Sequence, residues 1–490
     1  MRVAIRFHVL GETMTATTEE VLDRLSQPVS VRVNSTARLI DATAKAAAAV
    51  DRERRRSKNK NENKNNKKKN TGDSEDRSYR KPVLRPLPRE SGRDLVVTPW
   101  QLLGTFARAA TLARHGRGRG LAEHWQSLKY CQSFSRNAFG YLELSEEGRE
   151  PEQSYRGMQA RELGPALGLT VAEGAVRHQF PDRMVSVVDA ESVLLAGFAR
   201  SGPRPSLGKR PRPDFFVEAW KPDARSVVFA VTVNGNHQAA TRGTSATRRT
   251  TFRQLARGSE RAERFHLGQW DDTPCLLLST ELLAPDGITV NTLKAPGSGT
   301  LPLRPTVGGG SADATLSERN LFQLNTLELP PTREGRKRRL DAFFVPPQEL
   351  NWFGQVLART AAAGHLAFAG AGQDVAQYLT PKQGRKYYEQ RTFAGVDSVH
   401  DASHVIGSTR FVGTDQVFRL KGKRVEAFSG MAEELYELLR KGQVEEYRRQ
   451  AYKLRDTWPT ATTAPGWGPA SFRDDGTVMM LRVLPGAADA

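Results

Sequence analysis

Apolar and polar residues alternate most clearly in the middle of the chain, over residues 213–238. Two runs rich in Val and Phe flank residues 221–226, where Pro, Asp and Ser are typical of a turn. The pattern predicts a β-hairpin whose paired residue numbers sum to about 447, so that Asp214 lies opposite position 233, within one residue. Because side chains alternate along a strand, we expect Asp214, Thr232 and Asn234 on one face.

The elements predicted around this hairpin follow a recognisable order. A helix is expected over residues 164–180 and a strand over residues 184–189; after the hairpin come a helix over 251–266 and an apolar strand over 275–279. With Pro213 and Asp214 opening the second strand, this α-β-β-β-α-β order resembles the core of PD-(D/E)xK, or restriction-endonuclease-like, nucleases. The sequence therefore predicts a multidomain α/β protein whose middle domain is a restriction-endonuclease-like mixed sheet flanked by helices.

The resemblance implies a set of site residues. In that family the motif Asp and the acidic residue of (D/E)xK bind Mg²⁺, and the Lys assists the attacking water. Only Asp214 matches, because Thr232 stands where the second carboxylate is expected and Asn234 where the Lys is expected. A first-helix Glu serves some nucleases of this type, which makes Glu173 a candidate. His237 and Asn234 are candidates for positioning water.

The chemistry leaves two functions open for such a site. Hydrolysis of a phosphodiester needs a cation that absorbs negative charge and activates water, and a single Asp holds Mg²⁺ poorly. The domain is therefore either a Mg²⁺-dependent endonuclease with a degenerate site, in which Asp214 holds the metal, or a relic that binds DNA without cleaving it. Mg²⁺ is expected as a cofactor only in the first case.

Basic residues mark two further candidate surfaces. Arg253, Arg257 and Arg261 recur at helical spacing and predict an outward ridge, preceded by Arg248 and Arg249. We expect this ridge to contact DNA phosphates, although a run of charge is also typical of a solvated face. The second candidate surface mixes cations with aromatic residues, which suits stacking on bases. Its basic members are Lys382, Arg385 and Lys386.

Changes in composition predict the domain boundaries. The predicted units are a small α/β unit over 1–50, a basic disordered linker over 51–93, a helical segment over 94–150, the nuclease-like domain over 151–294, a second linker over 295–340 and a C-terminal α/β domain over 341–490. In the first linker, residues 51–70 are rich in Lys, Arg and Asn and include no apolar residue, a composition typical of disorder.

Overall charge narrows the class of partner. Lys and Arg number 73 against 54 Asp and Glu, a formal net charge of +19. Such an excess favours polyanions, and double-stranded DNA is the expected partner. A non-enzymatic scaffold whose basic surface binds an acidic protein is the alternative, and a protein complex or homo-oligomer fits either function. The two cysteines and the lack of a long apolar run predict a cytoplasmic protein without membrane association.

Overall fold

The structure is a computed structural model that describes most of the chain between residues 16 and 485. The described ranges are 16–64, 79–90, 92–112, 122–150, 152–198, 211–238, 246–269, 272–303, 325–329, 338–385, 388, 402–460 and 462–485. Within them, side chains are not described for residues 58–64, 246–248, 325–329, 338–339 and 373.

Helices and strands alternate along the described chain. The helices are α1 Thr18–Ser26, α2 Ala37–Lys64, α3 Pro99–Ala110, α4 Glu146–Arg149, α5 Gln153–Gln179, α6 Ala190–Val193, α7 Ala246–Ala262, α8 Leu350–Phe368, α9 Gly372–Ala376, α10 Glu433–Arg440 and α11 Val444–Leu454. The strands are β1 Val29–Asn34, β2 Leu95–Val97, β3 Phe134–Arg136, β4 Leu142–Leu144, β5 Met184–Asp189, β6 Phe215–Trp220, β7 Val227–Asn236, β8 Phe265–Leu267, β9 Cys275–Glu281, β10 Thr289–Ala295, β11 Asn325–Leu329, β12 Arg338–Val345, β13 Ala402–Ile406, β14 Thr409–Leu420, β15 Lys423–Ala432, β16 Ala470–Phe472 and β17 Thr477–Val483.

The central sheet has seven strands in the order β2-β1-β10-β9-β7-β6-β5. Strands β5, β6 and β7 are antiparallel neighbours, and β9 runs parallel to β7. In the β6–β7 hairpin Phe215 pairs with Val231 and Ala219 with Val227, so paired numbers sum to 446. The hairpin is confirmed, its register agrees with the prediction to within one residue, and the fold is mixed α/β.

Helices α5 and α7 cover opposite faces of this sheet. Val217 of β6 packs in one hydrophobic core with α5, whereas its neighbour Phe216 packs in a second core with α7. Successive strand residues point to opposite faces, so the two helices must lie on opposite sides. On the α5 side the approach is very close, because a Cβ added to Gly235 would stand 1.9 Å from the Ala160 carbonyl oxygen.

The C-terminal part of the chain forms a second sheet of five strands, β13-β14-β15-β17-β16. Helices α10 and α11 follow β15 and are joined at Gly442, which adopts a positive φ of 76°. Trp100 of α3 is fully buried and donates a hydrogen bond to the Met479 carbonyl of β17 at 2.7 Å. The second sheet is thus packed against α3, which follows β2 of the central sheet.

The segments before residue 94 differ from their predicted arrangement. Strand β1 pairs with β10, which places the N-terminal unit's strand inside the central sheet. Helix α2 continues to Lys64 and packs against α7, so the expectation of disorder from residue 51 is wrong as far as residue 64. Long-range packing explains the difference, because ion pairs between α2 and α7 hold a segment whose composition alone favours disorder. Residues 65–70 lie outside the described part.

Candidate functional site

Asp214 stands immediately before β6, at the end of the sheet where β7 finishes. Its Oδ2 accepts a hydrogen bond from the Val233 backbone nitrogen at 2.8 Å, and its Oδ1 lies 2.6 Å from Nη1 of Arg261 on α7. About a quarter of each side chain in this pair is exposed. Burial raises the pKa of the Asp214 carboxyl, while the charge of Arg261 opposes that effect. Both carboxylate oxygens are therefore engaged within the protein.

Arg261 brings a positive charge to the point where polar groups of β6 and β7 meet. Its Nη2 lies 3.4 Å from Oδ1 of Asn234 and 3.5 Å from the Val233 carbonyl oxygen. These two contacts are long, so the short bond to Asp214 dominates. A guanidinium is thus surrounded by three oxygens from one carboxylate, one amide and one carbonyl.

Thr232 occupies the position where the resemblance predicts a second carboxylate. It is fully buried, and no hydrogen-bond partner of its hydroxyl is found among the described residues. Gly258 of α7 packs directly on it, since a Cβ at Gly258 would stand 2.6 Å from the Thr232 hydroxyl oxygen. A longer acidic side chain at this position would collide with α7 in its present place.

These residues do not fit a Mg²⁺ site. Mg²⁺ prefers several carboxylate and water oxygens in an octahedral arrangement. Asp214 is the one carboxylate of the Asp214–Arg261–Asn234 cluster, and its oxygens already bind Arg261 and a backbone N–H. Across the described ranges, no group of three or more His, Cys, Asp or Glu side chains is arranged to hold a metal ion.

The polar residues that follow Asn234 turn away from Asp214. His237 is buried, and its Nε2 lies 3.3 Å from the Gly148 carbonyl oxygen. Asn236 uses its side-chain oxygen to accept a hydrogen bond from the Gln238 backbone at 3.0 Å. The structure therefore brings Asn234 to the cluster but not His237.

Glu173 lies on α5, which covers the opposite face of the sheet from α7. Its buried carboxylate pairs with Arg473, from the turn between β16 and β17. Nearby arginines lower the pKa of Glu173 despite its burial. The expectation that Glu173 supplies a second charge beside Asp214 is corrected, because its carboxylate is committed on the other face.

The predicted arginine ridge is only partly outward-facing. Arg261 turns toward Asp214, and Arg253 pairs with Glu53 of α2. Arg249 and Arg257 are exposed, as predicted, and the side chain of Arg248 lies outside the described residues. The packing of α2 on α7 explains this difference, since it brings carboxylates to a face that was expected to meet only solvent or DNA.

Helix α2 adds basic residues that sequence reasoning did not select. Arg52, Arg55 and Arg56 are exposed, opposite the buried side of the helix that includes Leu39 and Val50. Their i, i+3, i+4 spacing continues the helical pattern of the Ala-rich segment before them. This spacing was the sequence feature that could have predicted a basic helical face, but the low apolar content of the segment favoured a prediction of disorder.

The second basic patch begins in a short 3₁₀ turn, Pro381–Gln383. Lys382 is partly buried and Arg385 is exposed, while Lys386 lies outside the described residues. Gln383 anchors this turn to the central sheet region, because its side-chain nitrogen donates to the Ser192 carbonyl at 2.8 Å. The hydrogen bond of Gln383 therefore fixes the turn at which the second basic patch begins.

Comparisons with known proteins add no further constraint on this site. Within the described residues, no helix is both long and apolar enough to cross a membrane. Searches against protein-family models, curated proteins and solved structures find no match to this chain.

Proposed function

We propose that the chain binds double-stranded DNA, and that its middle domain is a restriction-endonuclease-like relic that does not cleave the backbone. The arrangement of β5, β6, β7 and β9 supports the resemblance, because apart from the short added elements α6 and β8 the predicted α-β-β-β-α-β order is kept, with three antiparallel strands and one parallel to the third. Helices α5 and α7 on opposite faces complete that order.

The contact between Arg261 and Asp214 carries the proposal that the site does not hydrolyse DNA. The resemblance assigns the metal to Asp214, but this carboxylate binds a guanidinium at 2.6 Å. An arginine stabilises the acidic residue without supplying a Lewis acid or lowering the pKa of a water molecule. DNA binding can persist in a domain that has no catalytic metal, because contacts to phosphates need cationic side chains and not a metal-activated water.

The exposed arginines of α2 and α7 support DNA as the partner. Arg52, Arg55 and Arg56 lie on α2, and Arg249 and Arg257 lie on the neighbouring α7. The chain's net charge of +19 attracts a polyanion at long range, and arginines on paired helices offer contacts to successive phosphates. Such contacts position a duplex without reading its sequence.

Plasmid cleavage tests the catalytic half of the proposal. Supercoiled plasmid is incubated with Mg²⁺ or Mn²⁺ and either the wild-type chain or Asp214→Asn, which keeps the side chain's size. We expect intact plasmid in both reactions at protein concentrations that saturate DNA binding. Cleavage by the wild type that Asp214→Asn abolishes would establish a metal-dependent nuclease and overturn the relic assignment.

Salt-dependent DNA affinity tests the binding half. Each lost phosphate contact reduces the slope of log affinity on log salt by about 0.9, so Arg249→Ala/Arg257→Ala should flatten it by about 1.8. Affinity should fall similarly on unrelated duplex sequences. The matched control is Arg225→Ala/Arg419→Ala, which removes two exposed arginines from the far hairpin turn and the second sheet. Equal slopes in both double variants would refute this surface.

A binding competition separates DNA from the rival partner class. A scaffold that recognises an acidic protein would retain a labelled acidic polypeptide, such as polyglutamate, in the presence of excess bare duplex. We expect the duplex to displace polyglutamate and to bind more tightly at the same ionic strength. Retention of polyglutamate against excess duplex would favour the scaffold function.

A further inference from the structure

Helix α2 changes character in its middle. The first half has a buried side, whose residues follow one another every three or four positions: Leu39, Thr43, Ala47 and Val50. From residue 51 to its end at Lys64, the helix contains no apolar residue. Burial of apolar side chains therefore holds only the first half, and the second half depends on charged contacts for its position on α7.

The second half of α2 also carries like charges that oppose helix formation. Arg52 lies three residues before Arg55 and four before Arg56, and all three side chains are exposed. Like charges at these spacings are neighbours on a helix and destabilise it. Arg55 and Arg56 make no ion pair within the part of the chain that the structure describes. Since short polar helices are marginal in water, this half needs partners on another element to stay helical.

Glu260 of α7 is joined to this half of α2 by two routes. Its two carboxylate oxygens accept hydrogen bonds from Nη1 and Nη2 of Arg54, each at 3.0 Å. Its Oε1 also accepts a hydrogen bond from Nη2 of Arg80 at 2.7 Å. Arg80 in turn donates to both carboxylate oxygens of Asp51, at 2.8 and 2.9 Å. The carboxylate of Glu260 thus binds α2 directly through Arg54 and indirectly through Arg80.

Partial burial distinguishes these contacts from an ordinary surface ion pair. The side chains of Glu260, Arg80 and Asp51 are only 15%, 16% and 16% exposed. In the pair between Arg253 of α7 and Glu53 of α2, the side chains are 44% and 58% exposed. Exposed ion pairs contribute little and are screened by salt, whereas partly buried networks are screened less. Glu260 is therefore the acidic residue of α7 that does most to fix the second half of α2.

We propose that Glu260 is a positioning residue for DNA binding: it holds the second half of α2 on α7, so that Arg52, Arg55 and Arg56 meet phosphates. This inference rests on the proposed DNA surface of α2 and α7. It gives an acidic residue a role that favours a polyanion, which is the opposite of the effect expected from its charge alone. Without Glu260, DNA would have to order this half of α2 at a cost in conformational entropy, so the three arginines would contribute less.

Hydrogen exchange in the absence of DNA tests the positioning step by itself. Glu260→Gln keeps the size of the side chain and removes the charge that binds Arg54 and Arg80. The backbone amides of residues 51–57 should exchange roughly 5- to 10-fold faster in this variant, because local opening sets the exchange rate, and the first half of α2 should keep wild-type rates. Wild-type exchange of residues 51–57 would overturn the proposal. If Glu260→Gln does not fold, Arg54→Gln decides in its place, because Arg54 is 46% exposed and its removal leaves the core intact.

Salt-dependent affinity for duplex DNA tests the consequence for binding. Each phosphate contact adds about 0.9 to the slope of log affinity on log salt, so releasing Arg52, Arg55 and Arg56 should flatten the slope by up to about 2.7 in Glu260→Gln. Removal of a negative charge, considered alone, predicts tighter binding instead. The matched control is Asp41→Asn, which removes an exposed acidic residue from the first half of α2 and should keep the wild-type slope. Tighter binding with an unchanged or steeper slope in Glu260→Gln would refute the proposal.

A cycle of variants separates the role of Glu260 from the DNA surface itself. The triple variant Arg52→Ala/Arg55→Ala/Arg56→Ala should flatten the slope, and adding Glu260→Gln to it should flatten the slope little further, because both changes remove the same contacts. Flattening by the triple variant but not by Glu260→Gln would keep the DNA surface and refute the positioning role. No flattening by the triple variant, with faster exchange in Glu260→Gln, would instead refute the DNA contacts of α2 and with them the role of Glu260 in binding.

Discussion

The ion pair between Glu218 and Arg448 provides a sharp test of how the two sheets hold together. Glu218 lies on β6 of the central sheet, and Arg448 lies on α11 of the C-terminal part. Their side chains are only 3% and 9% exposed, with N–O distances of 3.2 and 3.3 Å. The guanidinium also lies 3.8 Å above the Trp220 ring. We predict that removing either charge alone is strongly destabilising.

The expected magnitude follows from burial and distance. Two unit charges 3.2 Å apart attract by roughly 5 kcal/mol at an effective dielectric constant of 20, and the cost of desolvating both charges offsets much of this. Glu218→Gln or Arg448→Met leaves the other charge buried, so each should lower the free energy of unfolding by about 3–5 kcal/mol. The double variant leaves neither charge buried and should cost only about 1–2 kcal/mol.

Urea unfolding of the four proteins in this double-mutant cycle measures the coupling. The costs expected for the single and double variants imply a coupling energy of at least about 4 kcal/mol between Glu218 and Arg448. The matched control is Glu446→Gln with Arg449→Met on the same helix, where a 2.6 Å pair is 48% and 35% exposed. An exposed pair at this spacing should couple by only about 0.2–0.5 kcal/mol. Coupling no larger at the buried pair than at the exposed one would refute the reasoning.

Two further predictions concern packing and pH. Gly235→Ala should lower the free energy of unfolding by about 3 kcal/mol or more, because the new Cβ would meet the Ala160 carbonyl at 1.9 Å. Gly157→Ala should not destabilise, because its Cβ would make only an ordinary contact of 3.7 Å with Nη2 of Arg161; equal effects of the two substitutions would contradict the close approach. Burial lowers the pKa of His124 to about 3, whereas a histidine in the unfolded chain titrates near 6.5. The unfolded state therefore gains protons first as pH falls from 6.5 toward 3, so at pH 5 this residue should cost about 2 kcal/mol of stability relative to neutral pH. Urea unfolding at pH 7 and 5 should show that the free energy of unfolding depends less on pH in His124→Gln than in the wild type. The exposed-site variant His178→Gln should keep the wild-type dependence. An unchanged dependence in His124→Gln would contradict the prediction.

Local sequence patterns were sufficient to predict the hairpin at the candidate site. The turn residues and the two apolar runs define β6 and β7, and their register follows from the turn position alone. The start of α3 is determined just as locally, since Thr98 caps the helix in a capping box with Gln101 and Pro99 takes the first helical position. In each case residues a few positions apart determine the geometry.

Those local patterns could not predict which segments pair or pack together across long distances in the chain. Nothing near β1 indicates that Arg32 pairs with Thr289, because the partner lies more than 250 residues away in the chain. The same holds for α2, whose polar composition favours disorder until α7 supplies partners such as Glu260, which binds Arg54 at 3.0 Å. Sequence reasoning treats such segments as separate units because it cannot weigh contacts that only the folded chain makes.

Arg261 illustrates the same limit at the candidate site and links its two departures from the nuclease pattern. As one of three arginines at regular spacing it appears equivalent to Arg253 and Arg257, and only the position of α7 over β7 decides that it turns inward to Asp214. That position depends in turn on Thr232, since Gly258 rests on a short side chain that a carboxylate-bearing residue would displace. The short side chain at position 232 and the guanidinium beside Asp214 therefore belong to one arrangement: a small residue at 232 lets α7 pack close to the sheet, and α7 then places the charge of Arg261 beside Asp214.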